Sequence, residues 1–157
     1  MLQCMKKYGA KHMYSALKVA EYIIGYCNEK KKTISNLKLQ KVLYFVQAQF
    51  LVNHGQACFE EEIEAWDFGP VVPSVYHKYK IFGSTFIPIP SNTFGIDIND
   101  YDKSDINAMV DACSEYSATE LVNITHNQDP WKKTYRQYER KVISNELIRE
   151  FFSKYSK

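Results

Sequence analysis

The sequence has few of the residues that build phosphate-binding loops. Its six glycines stand apart from one another, and neither a G-x-G-x-x-G pattern nor a Walker loop occurs. No serine or cysteine lies in a G-x-S-x-G context, which is typical of a hydrolase nucleophile. Nothing in the residue pattern favours an enzyme, so we expect a protein without catalytic residues and without a bound cofactor.

Cysteine is scarce and scattered. The four cysteines, Cys4, Cys27, Cys58 and Cys113, form no C-x-x-C pair and have no histidine at a zinc-ligand spacing. Cys27 lies on an apolar helix stripe, where a free thiol acts as a small hydrophobic group. We therefore expect free thiols in a reducing compartment, and no metal site.

Long apolar runs and an excess of one charge are also missing. The longest apolar stretch, 43–52, is broken by Gln47 and Gln49 and is too short to span a bilayer. The N-terminal residues are polar and lack the apolar stretch of a signal peptide. The formal net charge is only +2, whereas nucleic-acid-binding domains tend to be far more basic. We expect a cytoplasmic protein with no membrane contact, for which nucleic acid is an unfavoured partner.

Aromatic residues are what the sequence has in abundance. They make up 15% of the chain, with 12 tyrosines and 9 phenylalanines. Tyrosines in this number serve either a core with polar edges or a surface that recognises other proteins, and composition leaves both open. The 157 residues correspond in size to a single domain with one core.

Capping patterns mark three helix starts. Ser35, Ser117 and Ser144 each stand between hydrophobic residues that are spaced to form a staple. Together with the hydrophobic periodicity, they predict five helices with both ends defined, at about 15–29, 36–53, 104–115, 118–126 and 145–155. Two more helices are predicted by their starts alone, one from Pro73 and one after an Asp129 cap. The helix over 36–53 has apolar residues on more than one side, so we expect it at the centre of the fold.

A small sheet is expected between these helices. Apolar and polar residues alternate over 63–67, which predicts a half-buried strand that Gly69-Pro70 then ends. The segments 86–87 and 96–98 are candidates to pair with it. The fold class is therefore α+β, predominantly α-helical, with about six to seven helices packed with a small antiparallel β-sheet.

Basic residues recur every four positions near the C-terminus. If the helix that Asp129 caps continues, it carries three of them on one face: Lys132, Arg136 and Arg140. Tyr135 and Tyr138 lie beside this stripe. It is either an ordinary solvated helix face, a site for single-stranded nucleic acid, or a surface that steers an acidic protein partner.

Three segments resemble motifs of one protein family. Residues 34–45, ISNLKLQKVLYF, are similar to the segment isnLkLQKLLYf of the Panacea family of antitoxins, which includes SocA-like and phage-associated GepA-like proteins. Residues 64–71, EAWDFGPV, resemble the family's eAWdyGPV, and 126–131 match its H-x-x-x-PW element. The resemblance covers about 14–155. It implies a single Panacea-like domain over 14–157 and leaves 1–13 as a flexible N-terminal arm.

The resemblance implies an antitoxin that neutralises a cognate protein toxin by direct binding and is often encoded in a prophage. Two alternatives stay open: a proteolytic adaptor that delivers the toxin to a AAA+ protease, and a nucleic-acid-binding prophage regulator. The identity of the toxin and the formation of a homo-oligomer also stay open.

The residues shared with the family's motifs are expected to hold the scaffold or to bind the toxin. They are Leu39, Gln40, Lys41, Tyr44, Trp66, Gly69, Pro70, Val71, Tyr76, His126, Pro130 and Trp131. For the candidate toxin-binding surface we predict a groove bordered by Gln40, Tyr44 and Gln47. Its rim is the stripe of Lys132, Arg136 and Arg140.

Overall fold

A computed structural model describes residues 13–88 and 96–155. This part of the chain contains seven α-helices, a 3₁₀ turn at Lys80–Phe82 and three short strands. The helices are α1 Ala16–Glu29, α2 Asn36–His54, α3 Pro73–Tyr79, α4 Asp100–Ser114, α5 Ala118–His126, α6 Asp129–Lys132 and α7 Asn145–Ser153. The strands are β1 Ile63–Trp66, β2 Gly69–Val71 and β3 Val142–Ile143. The predicted mostly helical α+β fold is confirmed.

Helix α2 is the centre of the fold, as its sequence predicts. It packs against α1, α3, α4, α5, α7 and β2. Its apolar residues Leu39, Leu43 and Val46 are fully buried, and so are polar residues on its other sides. Because neighbouring elements contact α2 on all sides, the helix has no polar stripe that faces solvent. This explains why the sequence of α2 has only a weak amphipathic pattern.

Side-chain caps set the helix starts that the sequence marks. The hydroxyls of Ser35, Ser117 and Ser144 accept hydrogen bonds from backbone N–H groups three residues further on, at 3.3, 3.1 and 3.1 Å. Helix α4 begins earlier than its predicted start at residue 104, because Asn99 caps it. Helix α6 also differs from its prediction. Its N-cap is Gln128, without a side-chain bond, and it ends after a single turn.

The sheet is antiparallel, with the order β2-β1-β3, and two of its strands were not predicted. The strand over 63–67 ends at Trp66, before Gly69-Pro70 as predicted, but this segment is itself part of a strand. It follows a two-residue turn and belongs to β2, where Trp66 pairs with Gly69 and Ala65 with Pro70. Proline is tolerated there because β2 is an edge strand, whose outward N–H needs no partner strand.

The second strand partner of β1 was predicted wrongly. It is β3, in which Ile143 pairs with Ile63, and not residues 86–87 or 96–98. Residue 87 instead donates its N–H to the carbonyl of Ile34 at 2.9 Å, next to an isolated bridge between Phe86 and Ser35. The segment 96–98 forms no strand, since the cap of α4 follows it directly.

The start of the domain is fixed by Tyr14. Its N–H donates to the Cys58 carbonyl at 2.9 Å, and its hydroxyl donates to Asp102 at 2.6 Å. Of the predicted N-terminal arm, only the exposed Met13 lies within the described residues. The described cysteines, Cys27, Cys58 and Cys113, are buried. Within the described ranges, no helix combines the length and the apolar character needed to cross a bilayer.

Candidate interaction surface

Gln47 of α2 holds a connecting segment by its backbone. The amide oxygen accepts from the N–H groups of Cys58 and Phe59 at 2.8 and 3.2 Å, and the amide nitrogen donates to the carbonyl of Phe59 at 3.0 Å. The side chain is 1% exposed. Gln47 therefore satisfies buried backbone groups that no strand or helix pairs.

Gln40 and Tyr44 bind other segments in the same way. Gln40 Nε2 donates to Asn36 Oδ1 at 2.9 Å, while its Oε1 accepts from the N–H of Val72, just after β2, at 2.9 Å. The hydroxyl of Tyr44 donates to Gln128 Oε1 at 2.9 Å, and its ring is fully buried. These contacts connect α2 to the hairpin and to the corner between α5 and α6.

The predicted surface position of Gln40, Tyr44 and Gln47 is therefore corrected. None of the three residues is more than 1% exposed, and the polar side-chain atoms of each form hydrogen bonds inside the protein. Gln40 also contributes to the lining of a surface groove. The spacing of these residues correctly placed them on one face of the helix. It could not show that this face is covered by backbone groups from segments that are distant in the sequence.

Lys41 and Gly69 form a close internal contact. Lys41 is fully buried, its Nζ donates to the carbonyl of Pro70 at 3.0 Å, and desolvation lowers its pKa to about 7. Gly69 has φ +106°, and a Cβ there would lie 2.6 Å from Lys41 Cε and 2.8 Å from Thr125 Oγ1. Glycine is required at this position by its backbone conformation and by the close approach of the lysine chain.

The H-x-x-x-PW element forms an aromatic stack against the hairpin. The rings of His126 and Trp131 are 4.0 Å apart, and those of Trp131 and Tyr135 are 4.5 Å apart. Trp131 Nε1 donates to the carbonyl of Trp66 at 2.8 Å, and the Tyr135 hydroxyl donates to Asp67. The stack thus fixes α6 and the following loop on the end of β1.

This packing disfavours the charged form of His126. Burial lowers the pKa of its imidazole, and the nearby ammonium of Lys41 acts in the same direction, while a hydrogen bond to the backbone of Asp67 opposes both. Its Nε2 is buried and has no hydrogen-bond partner among the described residues. The residue serves as a flat stacking surface, and we assign it no proton-transfer role.

Trp66 presents one side of its indole to the surface. Its ring packs edge-on against Tyr76 at 4.9 Å, and the guanidinium of Arg140 lies over it at 4.2 Å. Its Nε1 donates to Glu64 Oε1 at 2.9 Å. A cation stacked on an indole is a stabilising arrangement that also orders the arginine.

The predicted basic stripe does not exist, because α6 ends at Lys132. Arg136 and Arg140 lie in the irregular loop that follows, where Arg136 donates to the carbonyl of Tyr135 at 2.7 Å and Arg140 stacks on Trp66. The three basic residues therefore share no helix face. A period of four predicts a common face only while the helix continues.

A groove of about 690 Å³ opens beside the hairpin, and sequence reasoning missed it. We call it the aromatic groove, after the aromatic side chains in its lining: Trp66, Phe68, Tyr76 and Tyr138. Phe68, at the hairpin turn, is 67% exposed, and Tyr138, in the loop after α6, is 95% exposed. The W-D-F-G sequence, which allows a two-residue turn between strands, was the signal that could have located Phe68.

One group of side chains has the composition of a metal site. His54, Asp102 and Asp105 have ligand atoms within 4.8 Å of one another. Internal contacts already use these atoms: His54 Nε2 lies 2.8 Å from Asp105 Oδ2, and Asp102 Oδ2 accepts from Tyr14. We assign no metal to the group.

Comparison with known proteins identifies the family. A family model described as "Antitoxin SocA-like, Panacea domain" matches residues 39–132. The chain belongs to this family of SocA-like antitoxins. Antitoxin SocA of Caulobacter vibrioides (strain NA1000 / CB15N) is 48% identical over 54 residues, which are 34% of this chain and 29% of that protein. The chain thus aligns with less than a third of this relative's length. No solved structure matches the chain.

The segment matched to the Panacea domain runs from α2 to the end of α6. It contains all of the motif residues, from Leu39 to Trp131, and these residues are mainly internal. The loop that supplies Tyr138, Glu139 and Arg140 to the aromatic groove lies beyond the matched segment. The groove therefore combines Panacea motif residues on the hairpin with residues outside the match.

Proposed function

We propose that the chain is a cytoplasmic antitoxin that neutralises a cognate protein toxin by binding it at the aromatic groove, without chemistry of its own. Its family supports the antitoxin role and so a toxin partner. The observation that carries the location is the exposure of two large aromatic side chains, Phe68 and Tyr138, in the lining of one groove. Exposed aromatic side chains that lie together in one groove are typical of surfaces that bind other proteins.

The backbone at Tyr138 supports this location. Its φ is +65°, in the left-handed region, which costs a residue with a side chain on the order of 1 kcal/mol. Burial of the ring does not offset this cost, because the side chain is 95% exposed. Strained residues of this kind cluster at binding sites, where the strain holds a side chain in position for its ligand.

The groove also has the residue types that dominate protein interfaces. Tryptophan, tyrosine and arginine are the commonest hot-spot residues, and Trp66, Tyr138 and Arg140 lie together here. Charges of both signs surround them, from Asp67, Glu139, Lys80 and Arg140. Mixed charges around an aromatic centre favour orientation and specificity over non-specific attraction.

The division between buried and exposed residues suggests how one scaffold serves different toxins. Gln40, Lys41, Tyr44 and Gly69 hold the elements together from inside, so they cannot vary with the partner. The loop with Tyr138 lies on the surface, so substitutions in it should disturb the core little. We expect this loop to determine which toxin the protein recognises.

The test is co-expression of the chain with the toxin encoded in the same operon, followed by growth measurement and co-purification. Tyr138→Ala and Phe68→Ala should each reduce growth rescue and recovery of the toxin. Tyr101→Ala removes a tyrosine that is 83% exposed on α4, outside the groove, and is the matched control. Full rescue by the groove variants, at equal protein levels, would refute the proposed location.

The same cells separate neutralisation by binding from the two alternatives. Under simple binding, toxin half-life is unchanged or longer when the chain is present, whereas an adaptor for a AAA+ protease shortens it. A nucleic-acid regulator would bind with an affinity that falls steeply with salt. The sequence pattern that favoured the regulator was a helix face with Lys132, Arg136 and Arg140, and in the structure these residues share no helix.

A further inference from the structure

A second cavity, of about 410 Å³, lies where α1 ends, α2 begins and α4 ends. We call it the lysine cavity. Its buried floor is apolar and consists of Cys27, Ile34, Val42 and Val110. Its other lining residues are polar, three lysines among them: Lys31, Lys32, Lys38, Thr33, Ser114 and Glu115. It shares no lining residue with the aromatic groove.

The three ammonium groups form no ion pair within the described part of the chain. Lys32 Nζ donates to Ser114 Oγ at 3.0 Å, and Lys38 Nζ donates to the carbonyl of Tyr116 at 2.6 Å, so both acceptors are neutral. None of Lys31, Lys32 and Lys38 has a carboxylate within 4 Å among the described residues. Glu115 brings one negative charge to the lining, so the three lysines leave an excess of positive charge there, and an anion between them would relieve their mutual repulsion.

Lys38 reaches the opening from a different helix than Lys31 and Lys32. Cations at the C-terminal end of a helix are favourable, which explains Lys31 and Lys32 after α1. Lys38 lies in the first turn of α2, where the helix dipole disfavours a positive charge, and no acidic residue accompanies it there. Its Nζ instead reaches the carbonyl of Tyr116, just after the C-terminal end of α4, so the ends of two helices bring three lysines to one opening.

Lys31 is held towards the cavity by an unusual backbone. Its φ is +55°, and the N–H of Lys32 returns to the carbonyl of Cys27 at 2.8 Å, which closes α1 in a Schellman arrangement. Glycine is the usual residue at this left-handed position, because it has no Cβ. The chain instead places a long cationic side chain there, at the cost of backbone strain.

We propose that the lysine cavity binds a small organic phosphate monoester, with the phosphate among the three ammonium groups and the organic part on the apolar floor. A phosphate carries close to two negative charges and has at least three acceptor oxygens, which suits three ammonium groups and the Thr33 hydroxyl. A carboxylate offers one charge and two oxygens. The volume lies in the range of small-ligand sites.

The first test is titration of the full chain with three probes at constant ionic strength: phenyl phosphate, inorganic phosphate and phenol. Isothermal titration calorimetry should show one site for phenyl phosphate, with an affinity at least tenfold above that of inorganic phosphate and no measurable phenol binding. Equal affinities for the two phosphates would overturn the role of the apolar floor. No binding of either phosphate would overturn the proposal.

The second test uses a variant that should fold better than the native chain. Lys31→Gly removes one ammonium and relieves the left-handed strain, so its melting temperature should rise while its phenyl phosphate affinity falls about fivefold or more. Lys32→Met should weaken binding similarly, and Lys133→Met, an exposed lysine outside the cavity, should leave it unchanged. Unchanged affinity in both Lys31→Gly and Lys32→Met would contradict the assignment.

Toxin neutralisation provides an independent readout. Because the two sites share no lining residue, Lys31→Gly should retain full growth rescue. The proposed phosphate site can therefore be confirmed or refuted independently of the proposed toxin site.

Discussion

The indole N–H of Trp131 donates a hydrogen bond to the backbone carbonyl of Trp66, 65 residues earlier in the chain, at 2.8 Å. This single contact joins the H-x-x-x-PW element to the A-W-D-F-G-P-V segment. The same indole is sandwiched between His126 and Tyr135. The two motifs are thus one structural unit, which supports the hairpin turn and the groove beside it.

The first prediction concerns this joint. Trp131→Phe retains an aromatic ring but removes the N–H, so the carbonyl of Trp66 loses its donor. We expect the free energy of unfolding to fall by about 1–2 kcal/mol, measured by urea denaturation. Tyr101→Phe, at a tyrosine that is 83% exposed, is the control and should change nothing measurable.

A second prediction compares two glycines with positive φ. Gly69→Ala places a Cβ against Lys41 and Thr125 at a φ of +106°, so the free energy of unfolding should fall by about 3 kcal/mol or more. Gly83 has φ +57° and ψ −130°, which is also unfavourable for alanine, but a Cβ added there would meet no described heavy atom within 4 Å, so Gly83→Ala should cost less, about 1–2 kcal/mol. Similar losses for both would show that the close approach of Lys41 is unimportant.

Buried glutamines give a third prediction. Gln47→Met leaves two backbone N–H groups and one carbonyl without partners, and should destabilise the fold by about 2–4 kcal/mol. Gln49 is the matched control, since its Oε1 is buried without a described partner, and Gln49→Met should be neutral or slightly stabilising. Thermal melts of the two variants at equal concentration make the comparison, and equal melting temperatures would contradict it.

The burial of Lys41 gives a fourth prediction, on pH dependence. Its pKa is about 7 in the folded chain and about 10.4 for an ordinary lysine, so between these values the unfolded chain holds a proton that the folded chain has lost. Stability should therefore rise with pH through this window, and the full cost of burying the charge should be present below pH 7.

Lys41→Met removes this titration while other groups stay the same. The unfolding free energy of the native chain relative to Lys41→Met should rise by roughly 1 kcal/mol per unit between about pH 7.5 and 9.5. Taking the difference between the two proteins cancels the ionisation of thiols and tyrosines, which also titrate in the alkaline range. Lys133→Met, at an exposed lysine, supplies the baseline for loss of a surface charge. A difference that does not change with pH would contradict the prediction.

Local features of this fold could be predicted from sequence, because their causes are local. Ser35, Ser117 and Ser144 cap helices through N–H groups three residues away, so their role is visible in a short window. The pairing of β1 with Val142–Ile143 joins segments about 80 residues apart, and two residues carry no periodic pattern. Such a strand can be found only from the assembled fold.

The candidate site was predicted less well for a similar reason. Gln40, Tyr44 and Gln47 are polar and regularly spaced, which is typical of an exposed face, yet distant backbone groups cover them. The exposure of Phe68 and Tyr138 depends on a hairpin turn and on a loop after α6 that single-residue preferences do not define. Motif resemblance identified the scaffold residues, whereas the exposed groove became visible only in the structure.

Toxin binding at the aromatic groove is tested most directly by the toxin affinity of the Phe68→Ala/Tyr138→Ala double variant. Biolayer interferometry with the purified toxin of the same operon measures it. The double control is Tyr101→Ala/Tyr155→Ala, which removes tyrosines that are 83% and 73% exposed outside the lining of the groove. We expect the groove variant to lose about 100-fold in affinity, or about 2.7 kcal/mol, with an unchanged melting temperature, and the control to bind like the native chain. Native affinity in the groove variant, or an equal loss in the control, would contradict binding at this groove.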